Sequence, residues 1–221
     1  MARLGEKMIN KIKRSAEGFF VGASGCHDWS HVERVYNTAR AIARKEKADV
    51  NVVRAAAYLH DIGRREEMKS KGKFCHAEKG AEMAVKILNK LDLDQKTVEN
   101  IRHCILTHRF RKNNKPESAE AKIIFDADKL DSIGAIGVAR DFYFAGFIGS
   151  RLYTGNEEYL AKQTGKHDYS KEDTALLEYY FKLKKIRSRM LTRTGKKIAA
   201  ARHNYMVAFF KRFSKETNGA I

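Results

Sequence analysis

The sequence predicts an all-α protein: a compact helical bundle with a C-terminal pair of basic helices packed on it. Three observations lead there. Apolar residues recur at helical spacing along nearly the whole chain. Of 221 residues only Pro116 is proline, the residue that helix interiors exclude. The length suits one domain with enough chain to bury a real core, and no repeat or low-complexity segment interrupts it. We therefore expect residues 1–221 to form a single domain, with C-terminal helices at about 171–216.

The elements follow in order. Residues 4–14 read as a short amphipathic helix, and 22–28 ("GASGCHD") as a loop. Asp28 is placed to cap a helix running to about Lys47, with Val32, Val35, Ala39 and Ile42 on one stripe. In "NVVRAAAYLHDIG" (51–63) apolar residues cover nearly the whole circumference, the mark of a central buried helix, and Gly63 is a natural stop. Residues 65–74 read as a charged loop, 76–91 and 94–108 as helices, and 109–118 as a basic loop. A long apolar helical stretch fills 118–147, with a break expected at Gly134 or Gly137. A polar segment (154–170) precedes two basic helices at about 171–191 and 194–216.

Charge and cysteine content narrow the partners. Lys and Arg number 44 against 27 Asp and Glu, a formal charge of +17 that favours nucleotides, nucleic acid or an anionic membrane, unless it serves only solubility. No segment is long and apolar enough to span a bilayer, and none at the N-terminus reads as a signal peptide. Three cysteines cannot all pair internally, so a reduced, cytoplasmic protein is expected.

The chain has three His-Asp pairs: His27-Asp28, His60-Asp61 and His167-Asp168. Buried His and Asp are costly unless paired or metal-bound. His60 and Asp61 end a helix with no polar side, where a core pair or a cation site would account for them. Asp28 reads as a local cap, and His167-Asp168 as surface. One imidazole and one carboxylate suit a divalent metal, but further ligands are needed. His31, in the first turn of its helix, can face the core. On a helical wheel for 118–135, Asp128 and Asp131 share a stripe with Ala121 and Ile124, while Asp126 falls with Lys122 and Lys129. That phase makes Asp128 the buried carboxylate, Asp131 a supporting partner and Asp126 a solvated residue.

The segments "CHDWSH" (26–31), "LHDIG" (59–63) and "DADKLDSIGAIGVAR" (126–140) occur in that order, within a motif-bearing core at about 26–153. Together they resemble the HD-domain phosphohydrolase superfamily, in particular a branch of small bacterial HD hydrolases. Cys26 and Ser132 depart from that branch's pattern, and neither is a proposed ligand. The resemblance implies a metal site built from His31, His60, Asp61 and Asp128. It implies hydrolysis of a phosphoester or phosphoanhydride by attack of metal-bound hydroxide, with a nucleotide as the small-molecule substrate and Asp61 in a catalytic role. Mixed nitrogen and oxygen ligation suits manganese, iron, cobalt, nickel or zinc and disfavours magnesium, which stays a lesser alternative; manganese is the expected ion.

His76 and His108 are candidates for a second metal or a proton donor, His108 lying on the apolar stripe of its helix and His103 off it. Arg64, directly after the His-Asp-Ile-Gly turn, is a candidate catalytic cation. His27, Arg65, Lys129 and Arg140 are candidate substrate contacts, and "RFRKNNK" (109–115) a candidate rim. Each cysteine abuts a histidine, but no Cys-x-x-Cys spacing supports a zinc-thiolate site. The rival class is a nucleic-acid-binding or regulatory metal-binding protein without turnover, resting on "KLKKIRSRMLTRTGKK" (182–197) and nearby aromatics. A cyclic phosphodiesterase is the alternative enzyme, although the Gly-Tyr-Pro extension of the cyclic-dinucleotide type is missing. Monomer and homodimer are both open.

Overall fold

A computed structural model describes residues 4–23, 25–109, 114–163 and 171–220, so His167 and Asp168 and part of the expected basic rim lie outside the described residues. The described residues are helical with no strand, as the sequence predicts. None of their helices is long and apolar enough to cross a membrane. The chain divides into two compact units, residues 1–128 with 191–194, and residues 129–190 with 195–221.

In the first unit, α1 (Glu6–Glu17), α2 (Trp29–Glu46) and α3 (Val50–Leu59) come first. α4 (Arg64–Lys69), α5 (His76–Leu88), α6 (Gln95–Thr107) and α7 (Ala119–Leu130) follow. α3 is the central helix, packed against α1, α2 and α6. Its polar exception, Arg54, reaches back to Glu6 at 2.7 Å and to the Tyr36 hydroxyl at 2.8 Å. Ile9, Ile12, Ile42, Leu59, Ile101 and Ile105 are among the fully buried side chains around it. Each such side chain contributes about 1.5–3 kcal/mol.

Caps set the helix starts. Asp28 accepts from the His31 N–H, Asp49 from Asn51 and Val52, and Asp94 from Thr97. α3 stops earlier than Gly63 alone suggests: it ends at Leu59, His60 is its C-cap, and Asp61–Gly63 make a turn into α4. The charged segment 65–74, expected as a loop, therefore begins in a helix. Lys71 and Gly72, both at positive φ, turn the chain back after it.

Gly63 has a steric reason to be glycine. A Cβ there would lie 2.3 Å from the His76 carbonyl oxygen and 2.6 Å from the Gly80 nitrogen. The start of α5 is thus pressed onto the turn that follows Asp61.

α7 corrects one reading. It is buried on nearly every side, so the wheel could not separate an inner from an outer face. Asp126, expected to be solvated, is fully buried. Its carboxylate accepts from the Leu191 N–H at 2.8 Å, the Thr192 N–H at 2.8 Å and the Thr192 hydroxyl at 2.7 Å.

The second unit takes the end of α7 and contains α8 (Gly134–Phe147), α9 (Glu157–Leu160), α10 (Ala175–Phe181) and most of α11 (Arg193–Thr217). The break between α7 and α8 falls before Gly134, whose φ of +82° suits glycine. Arg202 donates to the Leu130 carbonyl at 2.5 Å, satisfying an end carbonyl of α7. The helix expected over 171–191 is two pieces: α10 gives way to a 3-10 helix, Leu183–Arg189. Leu183 and Ile186 are both buried three residues apart, the period of that tighter helix. Phe210 of α11 stacks on Tyr179 with ring centroids 4.2 Å apart.

Candidate metal centre

Helix ends deliver the site. The last carbonyls of a helix lack intrahelical partners, and two C-cap histidines use this in the same way. His60 ends α3 and places its Nδ1 2.8 Å from the Ala57 carbonyl oxygen. His108 ends α6 and places its Nδ1 2.6 Å from the Ile105 carbonyl oxygen. A carbonyl only accepts, so each Nδ1 carries the proton and each neutral ring turns a bare Nε2 inward. His76, the first residue of α5, reaches the same state by another route, with its Nδ1 2.6 Å from Glu67 Oε2. Glu67 is itself held by Arg109, Nη1 to Oε1, at 2.8 Å. His31 enters from the first turn of α2, fixed there by the Asp28 cap, and is fully buried.

These groups converge on Asp61, which is 1% exposed. Its Oδ2 lies 3.6 Å from the Nε2 of His31 and 3.6 Å from that of His60. Its Oδ1 lies 3.2 Å from His76 Nε2 and 3.4 Å from His108 Nε2. Asp128 closes the first side, with Oδ1 3.5 Å from His31 Nε2. The His60 and His31 Nε2 atoms are 3.3 Å apart, and those of His76 and His108 3.1 Å. Donor atoms within 4.8 Å of one another thus form a His31–His60–Asp128 set and an Asp61–His76–His108 set, with His27, His31 and Asp61 as a third combination. Asp61 stands between the first two.

Protonation sharpens the picture. Burial pushes the pKa values of His60, His76 and His108 down, so these rings are neutral at physiological pH. Burial works to raise that of Asp61, but Arg64 and then His60 outweigh it and hold the carboxyl well below the usual range. Arg64 makes the direct contact, Nε to Asp61 Oδ2 at 2.5 Å. The His27 pKa is lowered by burial, which encloses its Nδ1 edge, and then by Arg64. Burial likewise opposes ionisation of Glu67, yet its hydrogen bond from His76 and the charge of Arg109 bring it down to about 2. The Asp61 Oδ1 oxygen, fully enclosed, makes no hydrogen bond among the described residues. Lone pairs from neutral imidazoles and an ionised carboxylate therefore point at shared space with no proton between them. A divalent cation with mixed nitrogen and oxygen ligands fits that donor set. No cysteine belongs to it: Cys104 is buried beside Asn100, its thiol pKa raised by burial.

Of the residues anticipated from sequence, His31, His60, Asp61, Asp128, His76, His108, Arg64 and His27 come together here. Arg65 is exposed in the first turn of α4. Lys129 is half-buried and Arg140 pairs with Asp131 at 2.6 Å, both in the second unit. That pairing gives Asp131, expected to support the metal ligands, a definite partner. His103 accepts from the Glu117 N–H at 3.0 Å. Glu67 escaped the sequence reading, and Arg109, expected as part of the basic rim, holds Glu67 instead. The one signal for Glu67 was a carboxylate shortly before a histidine across a tight turn.

The HD domain family's sequence profile matches residues 28–133. YpgQ of Bacillus subtilis (strain 168), described as an uncharacterised protein, is 31% identical over 217 residues, covering 96% of this chain and 95% of its own. The crystal structure of Bacillus subtilis YpgQ in complex with ADP superposes with a TM-score of 0.72 at 27% identity, over 95% of each chain. The crystal structure of an HD-superfamily hydrolase from Bacillus thuringiensis gives a TM-score of 0.72 at 27% identity, over 96% of this chain and 98% of that one.

Proposed function

The chain belongs to the HD-domain superfamily and is a metal-dependent hydrolase; from that premise we propose that it hydrolyses a phosphoester or phosphoanhydride bond of a nucleotide. The observation that carries the reading is the convergence of imidazole Nε2 atoms and carboxylate oxygens on the buried Asp61. The ADP complex of the similar YpgQ supports a nucleotide as the substrate class.

His31, His60, Asp61 and Asp128 would hold the first divalent ion, and His76 with His108 would complete a second position that shares Asp61. Manganese is the proposed ion, one of several that accept mixed nitrogen and oxygen ligands. Such an ion supplies Lewis acidity, lowering the pKa of water and polarising a phosphoryl oxygen.

The chain's own residues prepare the centre. Arg64 keeps Asp61 ionised and fixes its rotation. The Ala57 and Ile105 carbonyls and the Glu67 carboxylate fix the tautomers of His60, His108 and His76. His27, with a neutral ring 40% exposed, and Arg65, exposed on α4, are the proposed phosphate contacts. Arg140 is engaged by Asp131 and has a structural task instead.

A panel of nucleoside mono-, di- and triphosphates and cyclic diesters, run with Mn²⁺ while phosphate and pyrophosphate are measured separately, tests the reading. Release of either product from a nucleotide, lost in Asp61→Ala, is the expected outcome. Turnover that survives both chelation and Asp61→Ala would overturn it.

A further inference from the structure

The second unit has a surface that the hydrolase site does not use. From Tyr179 to Lys215 the chain has twelve Lys and Arg residues and not a single Asp or Glu. A face that is only kept soluble usually intersperses both signs; this segment has one sign throughout. Lys184, Lys185, Arg187, Lys196, Lys197, Lys211 and Lys215 are all exposed. Two neighbours, Lys182 and Arg212, pair with Glu178 and Glu216, the carboxylates that flank the segment.

The cations do not sit on a convex rod alone. The 3-10 helix Leu183–Arg189 and α10 meet α11 along a groove of about 460 Å³. Tyr179, Tyr180 and Phe210 line it together with Lys184, Lys211 and Lys215. The Lys184 ammonium lies 5.3 Å from the Tyr180 ring centroid and 6.0 Å from that of Tyr179. His203, further along α11, has its pKa lowered by burial and then by Arg187 and Lys184. From Lys196 to Lys215 the face extends over about 28 Å of helix.

We infer that this face of the second unit binds a nucleic-acid strand through its backbone phosphates, independently of base sequence. A row of exposed ammonium and guanidinium groups matches a phosphate backbone in charge and in repeat. The groove favours a strand over a membrane surface: it is concave, and none of the exposed large apolar side chains lines it. No metal takes part, so this binding is separable from hydrolysis.

The test uses the full chain and a fluorescein-labelled single-stranded oligonucleotide of mixed sequence, with anisotropy read across a salt series in EDTA. If five cations engage phosphates, log Kobs falls with log[salt] at a slope of roughly −3.5. The K184E/K211E/K215E variant should weaken binding at least tenfold and flatten the slope by about 2 units, while Mn²⁺-dependent nucleotide hydrolysis is unchanged. K7E/K11E/R14E on exposed positions of α1 makes the same change in net charge and should retain most of the binding. A duplex of the same sequence and anionic phospholipid vesicles are the comparison ligands. Equal loss in both triple variants, a slope near zero, or vesicles that displace the oligonucleotide at matched phosphate concentration would overturn the assignment.

Discussion

Replacing Gly63 by alanine sends a methyl group into the backbone of α5. The added carbon would lie 2.3 Å from the His76 carbonyl oxygen and 2.6 Å from the Gly80 nitrogen, where such carbons keep at least 3.0 Å. Both obstacles are main chain, so neither can rotate away. The start of α5 must withdraw by at least 0.7 Å, the difference between 3.0 and 2.3 Å. His76 is its first residue and moves with it, away from Asp61 Oδ1 at 3.2 Å. Overpacking of this kind costs about 1–3 kcal/mol, which lowers Tm by roughly 2–10 °C in a chain of this size. A reacting geometry displaced by nearly an ångström loses about 10²-fold in rate. Scanning calorimetry, Mn²⁺-dependent hydrolysis and metal content per chain after desalting read the three consequences separately. The Asp61–His76–His108 position should lose its ion before the His31–His60–Asp128 position does. Gly146→Ala is the control, because a methyl there meets nothing within 4 Å. A Gly63→Ala protein with unchanged Tm, metal content and rate would refute the reasoning.

Asp126→Ala and Asp128→Ala should fail in different ways. The first strands two buried donors at Thr192 and a part-buried one at Leu191, so about 3 kcal/mol of stability should be lost in chemical denaturation, with metal content retained. The second should release metal while losing less stability. Saturating Mn²⁺ at about 100 times its Kd should add about 2.7 kcal/mol, and hence raise Tm by roughly 5–10 °C over chelated protein, in a thermal-shift assay. Glu67→Gln bears on pH. The folded pKa of Glu67, about 2, lies below its unattached value of 4.5, so its contribution is present above 4.5 and fades as pH falls toward 2. The Tm gap between metal-free wild type and Glu67→Gln should therefore narrow on acidification. In the same variant His76 loses its fixed tautomer, and Mn²⁺ titration should show weaker binding at one position.

Much of the centre was legible because burial left little choice. A helix that is apolar on every side cannot hide His60 and Asp61 from a ligand, and the Asp28 cap fixed the phase of His31. The same logic failed on α7. With apolar residues all round it, periodicity holds no information about which carboxylate faces what, and the partner of Asp126 lies at Leu191–Thr192. Glu67 was hidden by local composition, since "REEMKSKGKF" has the charge density of a loop although its first residues continue α4. Its meaning depends on His76 and Arg109, which only the fold brings near. The division of 171–191 into α10 and a 3-10 helix was not visible, because a spacing of three between Leu183 and Ile186 suits an α-helix equally well.

Asp126 stands two residues before Asp128, and its carboxylate accepts hydrogen bonds from Leu191 and Thr192. A ribosome must therefore synthesise the chain past Thr192 before the base of that helix can lock. Every motif has emerged by then, yet Asp126 still lacks these long-range donors. Their closure is a late event in translation, and a fragment cut after the final motif would carry all the ligands without the hydrogen bonds that steady the helix bearing Asp128.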